Sequence, residues 1–494
     1  VASDQVSSLE HLAGASRRPR VVRSALSRKV LADVVRLFDA AAILGTAALA
    51  FWAYPVLRLG LADQWDRFAA ATLVGLFVTL AVFGRLGLYD FRRLHRRWSQ
   101  VPRVLVGWSV SLLVLVLLAF LAKVSQDYSR GWLLLWYGGG LVAMGAARVA
   151  IAGHVRGLLD RGNLRERVAI LGAGEEGLGF AERIQGRGAD DEIAVVGFFD
   201  DRQTRVRDVF SGWRLEGRVD DLVARVRAGL VDRIVIALPP TAGERIGQLL
   251  RRFDGLAVDI DLHLAAPALP RPRNEVISLS GIPMLRVSER PLKDWHLLAK
   301  WAEDKAIAGA SLIFFGPLML LIALAIRIES PGPALFRQAR FGFNNEPIVV
   351  YKFRTMYSDR GDPSGAARTV RGDARVTPLG RFLRRYSLDE LPQLINVLQG
   401  SMSVVGPRAH PVSMQAAGRL YHEAVQDYLS RHRVKPGITG WAQVNGLRGE
   451  IDTLDKARRR VEHDLHYIEN WSLLFDLRVL ALTALRALRD PNAY

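Results

Sequence analysis

Asp389 and Glu390 are neighbouring carboxylates in the stretch Ser387-Leu-Asp-Glu-Leu-Pro-Gln393. Pro392 is best tolerated in a first helical turn, which sets both acids at or just before a helix N-terminus, where the dipole favours negative charge. Ser387 and Glu390 also have capping-box spacing, a purely structural use of the same residues. The surrounding cations change the weighting. Lys352 and Arg354 lie in Tyr351-Lys-Phe-Arg-Thr-Met356; Arg371, Arg375, Arg381, Arg384 and Arg385 follow, and Arg408 comes after Gly406-Pro407. A charge run is usually a solvated face. Here Lys and Arg recur in short turns rich in Gly and Pro around one acidic pair. That pattern suits a phosphorylated substrate and a divalent metal, with Mg²⁺ expected.

The rest of the chain must hold this chemistry at a membrane. Half of its 494 residues are apolar, its formal charge is +18, and it has no Cys, so disulfides, thiolate metal sites and a Cys nucleophile are excluded. No cleaved signal peptide is read at the N-terminus. Residues 1–30 read as a disordered basic tail. Four apolar stretches follow, at roughly 36–59, 67–89, 102–123 and 131–152, each near the ~20 residues that cross a bilayer. They define a transmembrane bundle over 31–155. The loop with Arg92, Arg93, Arg96 and Arg97 is basic, as are the tail and the exit segment with Arg156, Arg161, Arg165 and Arg167, whereas the loops near 60–66 and 124–130 are nearly neutral. The positive-inside rule puts both ends of the bundle in the cytoplasm.

Residues 160–290 alternate short strands with helical patterns. Val168–Leu171 leads into Gly172-Ala-Gly174-Glu-Glu-Gly177, a second strand near Ile193–Phe199 ends at Asp200-Asp201, and a third, Arg233–Leu238, ends at Pro239-Pro240. This is a Rossmann-like layout, and Gly172, Gly174 and Gly177 are candidates for a nucleotide-binding turn. An empty, purely structural cleft is the equal alternative, because Glu175 and Glu176 stand where a pyrophosphate would sit.

Residues 295–494 form the third domain. Its first segment, Ala306–Ile326, is apolar and long enough to span, yet Lys300 and Lys305 precede it and Arg327, Arg337 and Arg340 follow it. Basic flanks on both sides belong on one membrane face. Gly316-Pro317 stands at the midpoint, and proline breaks or kinks a helix. The expectation is a re-entrant helix over about 304–327, broken at Gly316 and Pro317; an ordinary kinked fifth span is the alternative. Near the C-terminus, Leu477–Leu488 reads as a basic amphipathic helix for the membrane surface.

Taken together, Ser330-Pro-Gly-Pro333, Phe336-Arg-Gln338, Lys352-Phe-Arg-Thr-Met356, Ser387-Leu-Asp-Glu-Leu-Pro-Gln393, Asn396-Val-Leu-Gln-Gly400, Met402-Ser-Val-Val-Gly-Pro-Arg408 and Lys435-Pro-Gly-Ile-Thr-Gly-Trp-Ala-Gln-Val-Asn-Gly446 resemble the bacterial sugar transferases, the polyprenyl-phosphate hexose-1-phosphate transferases. The bundle and the Rossmann-like middle match the long form of that family. Arg448-Gly-Glu450, Thr453-Leu-Asp455 and His466-Tyr-Ile-Glu-Asn-Trp471 look most like members that transfer glucose-1-phosphate. Two turns depart from the family pattern: Ala409-His410 stands where Pro usually follows Gly-Pro-Arg, and Asp373-Ala-Arg375 where Asp-Pro-Arg is usual.

The resemblance implies a fold made of a membrane α-helical bundle, an α/β Rossmann-like domain and an α/β catalytic domain with the re-entrant helix. It implies transfer of hexose-1-phosphate from a UDP-sugar to undecaprenyl phosphate, releasing UMP, as the first step of exopolysaccharide or capsule synthesis. Asp389 would be the nucleophile and form a phosphosugar-aspartyl intermediate. Glu390, with Asp389, would hold Mg²⁺, and Lys352, Arg354, Arg375, Arg384 and Arg408 would contact phosphate. The enzyme would sit in the bacterial inner membrane with its catalytic domain on the cytoplasmic face; a homodimer is compatible with the long form. Galactose-1-phosphate is the alternative cargo, and a non-catalytic nucleotide-sugar-binding scaffold the alternative of another class. A nucleotide-sugar oxidoreductase would need a Tyr-x-x-x-Lys in the middle domain, and residues 166–290 contain neither Tyr nor Lys. Nucleic acid is not expected, because membrane flanks and the phosphate site account for the basic residues.

Overall fold

The computed structural model describes residues 27–60, 62–94, 97–186, 193–202, 209–210, 213–263, 276–279, 282–358, 373–411, 415–416, 419–425, 427–447 and 453–487. Most of the expected basic tail, and Arg371 and Arg448-Gly-Glu450 with it, lies outside them.

One compact unit covers Arg23–Arg165. Ser27 caps its first helix, α1 (Arg28–Phe51), so the end of the expected tail is already helical. α2 (Trp65–Arg85), α3 (Arg97–Leu121) and α4 (Arg130–Asp160) follow, the last running five residues beyond the expected bundle. All four are long and apolar enough to cross a membrane. Their inner faces hold Trp108, Trp132 and Trp136. The Trp132 and Trp136 indoles donate to the Ala47 and Ile43 carbonyls of α1. Gly75 and Gly140 make room, since a Cβ at either would strike Trp136 or Trp108. Arg148 and Asp39 form a buried ion pair at 2.5 Å. Phe77, Leu113, Phe120, Leu134 and Val142 stay exposed, as lipid-facing side chains would.

The second unit takes in the chain from Glu166 onward. Its first part is a single sheet. β1 (Glu166–Leu171), β2 (Ile193–Phe199), β3 (Val209–Phe210), β4 (Trp213–Gly217), β5 (Arg233–Ile236), β6 (Asp259–His263), β7 (Val276–Leu279) and β8 (Ile282–Ser288) take the order β3-β4-β2-β1-β5-β6-β8-β7. Strands β4, β2, β1, β5 and β6 are parallel, so the expected Rossmann-like layout is present. The sheet is buried on both faces, as parallel sheets require. Asn344 Oδ1 accepts from Ala257 N, and Arg433 donates to the Glu289 carbonyl, which ties the sheet to the following part.

That part opens with a helix, α5 (Asp294–Glu329), 36 residues long. The expected interruption at Gly316-Pro317 is not there: Pro317 lies inside a continuous helix. The first arm is fixed by buried polar contacts. Lys300 Nζ lies 2.6 Å from Asp476 Oδ2, Asp304 Oδ1 accepts from Ser403 Oγ and Val404 N, and Lys305 donates to the Val397 carbonyl. The second arm buries Ile322 and Ile326 against Phe353 and Leu383. Between them Ile313, Phe314, Leu320 and Leu321 stand more than 60% exposed.

A hairpin comes next, β9 (Leu335–Phe341) with β10 (Pro347–Phe353), in register Phe336↔Lys352, Gln338↔Val350 and Arg340↔Ile348. Paired residues share a face. Then come α6 (Pro378–Arg385), a short turn at Leu388–Glu390, and α7 (Gln393–Gln399). The Asn396 side chain accepts from Tyr351 N and donates to Val349 O, which locks α7 to β10. β11 (Ser403–Val405) pairs in parallel with Gly437–Thr439. The glycines of Gly406-Pro-Arg408 and Pro436-Gly-Ile-Thr-Gly440 serve this contact, because a Cβ on Gly437 would overlap Gly406 N. The C-terminal helix Leu473–Ala487 exposes Leu474, Leu477 and Leu485, consistent with the amphipathic expectation.

Candidate active site

Ser387 adopts a left-handed conformation, φ 56°, and the turn Leu388–Glu390 follows it. The Ser387 side chain makes no capping hydrogen bond, so the capping-box explanation of the acidic pair falls away. Pro392 stands just before α7 as its N-cap instead of within its first turn. The turn lies against β10, whose residue Lys352 faces it.

Glu390 takes the tightest contacts. Its Oε1 accepts from Lys352 Nζ at 2.8 Å and Arg408 Nη2 at 2.5 Å, and its Oε2 from Arg408 Nη1 at 3.2 Å. Asp389 is held more loosely, with Oδ2 3.9 Å from Lys352 Nζ. The electrostatics of the two acids diverge accordingly. Burial opposes ionisation of Glu390, but the charges of Arg408 and Lys352 outweigh it and hold the carboxyl well below the usual range. Burial pushes the Asp389 carboxyl up, Lys352 opposes this, and the Glu390 charge adds to the rise. Burial also lowers Lys352 against the pull of Glu390. The site is therefore one carboxylate bound by two cations, with acceptor capacity left on Oε2, beside a second carboxylate without a short contact to them.

The other expected phosphate ligands separate. Arg384 donates Nε to Thr355 Oγ1 at 2.8 Å, and the Asp389 charge acts on it. Arg375 is paired with Asp373 at 2.7 Å, and both charges act on Arg384. Arg354 is elsewhere. Its Nη2 donates to Ser330 O at 2.6 Å, Ser330 Oγ at 3.0 Å and Ile326 O at 3.3 Å, which fastens the end of α5. It is a buried clamp and not a member of the phosphate cluster. Arg354→Ala is expected to cost at least about 2 kcal/mol, because charge-assisted bonds to buried carbonyls are lost. A thermal melt would fall, while the KM for the donor of the surviving folded protein would hold; a changed donor KM without a lower melt would return Arg354 to the substrate.

Sequence reasoning passed over Arg340 as a site residue. It lies on the Lys352 face of the hairpin, its Nη1 donates to Ala409 O at 2.8 Å, and burial, then the Arg408 charge, pulls it down to about 10. Hairpin parity with Lys352 is the signal that finds it. Arg431 donates to His410 Nδ1 at 2.8 Å and to Arg408 O at 2.7 Å, and itself pairs with buried Asp464.

Among the described residues no group of three or more His, Asp or Glu side chains could hold a metal. Two adjacent carboxylates remain, which suits a Mg²⁺ completed by substrate phosphates better than an all-protein cage. At the Gly-rich turn of the middle domain, Asp200 Oδ2 accepts from Ala173 N at 3.2 Å. Gly177 packs so closely on the Gly172 carbonyl that no Cβ fits. The acid after β2 thus takes one backbone N–H of the Gly-rich turn. Gly316 and Pro317, on α5, take no part in the acidic site.

Comparison with known proteins follows the same division. Residues 295–490 match the bacterial sugar transferase family, and residues 85–263 match a family described as CoA-binding domain, a match that begins inside the helical bundle. The undecaprenyl-phosphate glucose phosphotransferase of Komagataeibacter xylinus is 42% identical over 340 residues, 67% of this chain and 60% of that protein. A UDP-glucose:undecaprenyl-phosphate glucose-1-phosphate transferase of Xanthomonas campestris pv. campestris is 36% identical over 379 residues, 76% of this chain and 78% of that one. Its namesake in Escherichia coli K12 is 34% identical over 432 residues, 85% of this chain and 90% of that one. With an acidic turn, a facing lysine and a bidentate arginine at its centre, and with this similarity along most of its length, the chain belongs to the bacterial sugar transferase family.

Proposed function

We propose that the protein transfers glucose-1-phosphate from UDP-glucose to undecaprenyl phosphate, releasing UMP, at the cytoplasmic face of the bacterial inner membrane. The observation that carries this reading is the split between the two acids: Glu390 bound to Lys352 and Arg408, Asp389 beside them without a short contact of its own to those cations. Asp389 attacks the β-phosphorus of UDP-glucose and UMP leaves. The acceptor phosphate then attacks the aspartyl-phosphosugar and frees the carboxylate. Lys352, Arg384 and Arg408 offset phosphate charge in both steps, the guanidinium forks matching two oxygens at once. Glu390 and Asp389 would hold Mg²⁺, which supplies Lewis-acid neutralisation of the phosphates. The names of the relatives favour glucose over galactose.

Seating of α5 on one membrane face, both of its ends on the same side, belongs to the same proposal. Ala308, in the first arm, and Ile322, in the second, are both buried in one globular domain, and Leu391 packs on the cluster of each. The free stretch between them, residues 309–321, is roughly 20 Å long at about 1.5 Å per residue. That is short of the ~30 Å hydrocarbon core. A continuous helix held at both arms by one domain can immerse its exposed middle in the near leaflet without carrying that domain across.

Purified protein with radiolabelled UDP-glucose, undecaprenyl phosphate and Mg²⁺ is expected to yield UMP and a lipid-linked sugar. Chelation with EDTA should stop the transfer and added Mg²⁺ restore it. Turnover unaffected by EDTA would remove the metal, and transfer from UDP-galactose in preference to UDP-glucose would change the sugar.

A further inference from the structure

Arg408 reaches Glu390 from the turn Gly406-Pro-Arg-Ala-His410, and a long side chain aims no better than the backbone that carries it. This backbone is fixed carbonyl by carbonyl. Pro407 O accepts from Gly437 N at 2.9 Å, Arg408 O from Arg431 Nη2 at 2.7 Å, Ala409 O from Arg340 Nη1 at 2.8 Å and His410 O from Phe341 N at 3.1 Å. Gly437 and Phe341 belong to strands, and Arg340 borders the acidic pair. Arg431 differs from all three. Its side chain is 1% exposed, and among the described residues it makes no bond to Asp389 or Glu390. Its Nε and Nη2 face Asp464 Oδ2 at 2.9 and 2.7 Å, and its Nη1 donates to His410 Nδ1 at 2.8 Å. That nitrogen is free to accept, because burial and then the Arg431 charge hold His410 well below its ordinary value and leave the ring neutral. Asp464, on the helix Leu454–Glu469, is 2% exposed and fixes the guanidinium from behind. Any cation could neutralise Asp464. Holding residues 408 and 410 at once, across Ala409, takes a planar fork.

We propose that Arg431 is a positioning residue for transfer: anchored on Asp464, its guanidinium fixes the Arg408 carbonyl and with it the aim of the Arg408 fork at Glu390 and the substrate phosphate. The inference rests on the reaction proposed above. The two Arg408 contacts to Glu390, at 2.5 and 3.2 Å, leave little room for movement of the turn. A shift of about 1 Å in a positioned group can lower a rate about a hundredfold.

The test uses the full chain in nanodiscs with UDP-glucose, undecaprenyl phosphate and Mg²⁺, every rate taken per folded molecule. Arg431→Lys keeps the charge opposite Asp464 and removes the fork. It is expected to lower kcat at least about tenfold and to leave the donor KM within about threefold, since the lost aim matters most in the transition state. Tyr421→Phe is the control: it keeps the ring and removes one bond, to Ala457 O, in the adjoining core. Its melt should fall while its kcat holds. Equal kcat losses in the two variants would make the effect one of core stability and overturn the proposal. So would an unchanged kcat in Arg431→Lys. A double-mutant cycle with Arg408→Lys reads the route: added to that variant, Arg431→Lys should cost no more than about a further twofold, because both changes spoil one fork. Losses that multiply in full place the action of Arg431 elsewhere and refute it. Should Arg431→Lys not fold, Arg431→Gln takes its place in every arm, since Arg460 also feels the Asp464 charge and stays to oppose it. A wild-type protein that transfers no sugar overturns the reaction and this role with it, whereas an active wild type beside an equally active Arg431→Lys overturns the positioning alone.

Discussion

Asp389→Asn is expected to abolish sugar-phosphate transfer, with a loss of at least about a thousandfold in kcat, because a group whose removal eliminates the covalent step leaves only binding and electrostatic contributions. The substitution is isosteric, and among the described residues the only cation within 4.0 Å of the carboxylate is Lys352, at 3.9 Å. The folded state should therefore survive, and with the carboxyl pushed up by burial the neutral amide should cost little stability or even add some. Radiolabel transfer and a thermal melt on the same preparation separate the two effects. A melt lowered in proportion to the activity would make Asp389 structural.

Glu390→Gln should behave differently. Its carboxylate neutralises two cations, Lys352 and Arg408, in a pocket where the Glu390 side chain is only 12% exposed. Removing the charge leaves both cations facing each other and nearby Arg340, and breaking a buried pair costs about 3–5 kcal/mol. The expected outcome is a large fall in melting temperature together with lost activity, where Asp389→Asn loses activity alone. The pH dependence has a definite sign. The Glu390 carboxyl is held well below its usual 4.5, so its contribution is complete above that value and is lost as pH falls through the lower, folded one. Wild-type melts should keep this contribution through mild acid, and Glu390→Gln should flatten the corresponding part of the profile.

The reaction centre was legible because Asp389 and Arg408 sit in turns and Lys352 near the end of a strand. Short Gly/Pro-bounded segments around Asp389, Lys352 and Arg408 leave few ways to arrange them, and the structure brings these three together although they lie far apart in the chain. The two arginines of the hairpin region were harder. Arg354 follows Lys352 by two, which in a continuing strand would share its face. Strand β10 stops at Phe353, so Arg354 turns to the end of α5. Arg340 comes from the opposite strand, and only the register ties it to Lys352. The middle domain shows another limit. Its first strands and Gly-rich turn were placed correctly, but an acid after the second strand looks the same whether it awaits a ribose or, as Asp200 does, binds the turn itself. The negative charges of Glu175 and Glu176 were the one hint. At Gly316-Pro317 the propensity argument overreached, since one missing hydrogen bond inside a long apolar helix does not end it.

The central claim is that the sugar phosphate is carried on Asp389 between donor and acceptor. Intact-protein and peptide mass spectrometry after brief incubation with UDP-glucose and Mg²⁺, without any polyprenyl phosphate, tests it most directly. A hexose-phosphoryl adduct on the peptide containing Asp389, formed with one equivalent of UMP and discharged on adding undecaprenyl phosphate, is the predicted result. UMP that appears only when the acceptor is present, with no adduct at any time, would contradict it.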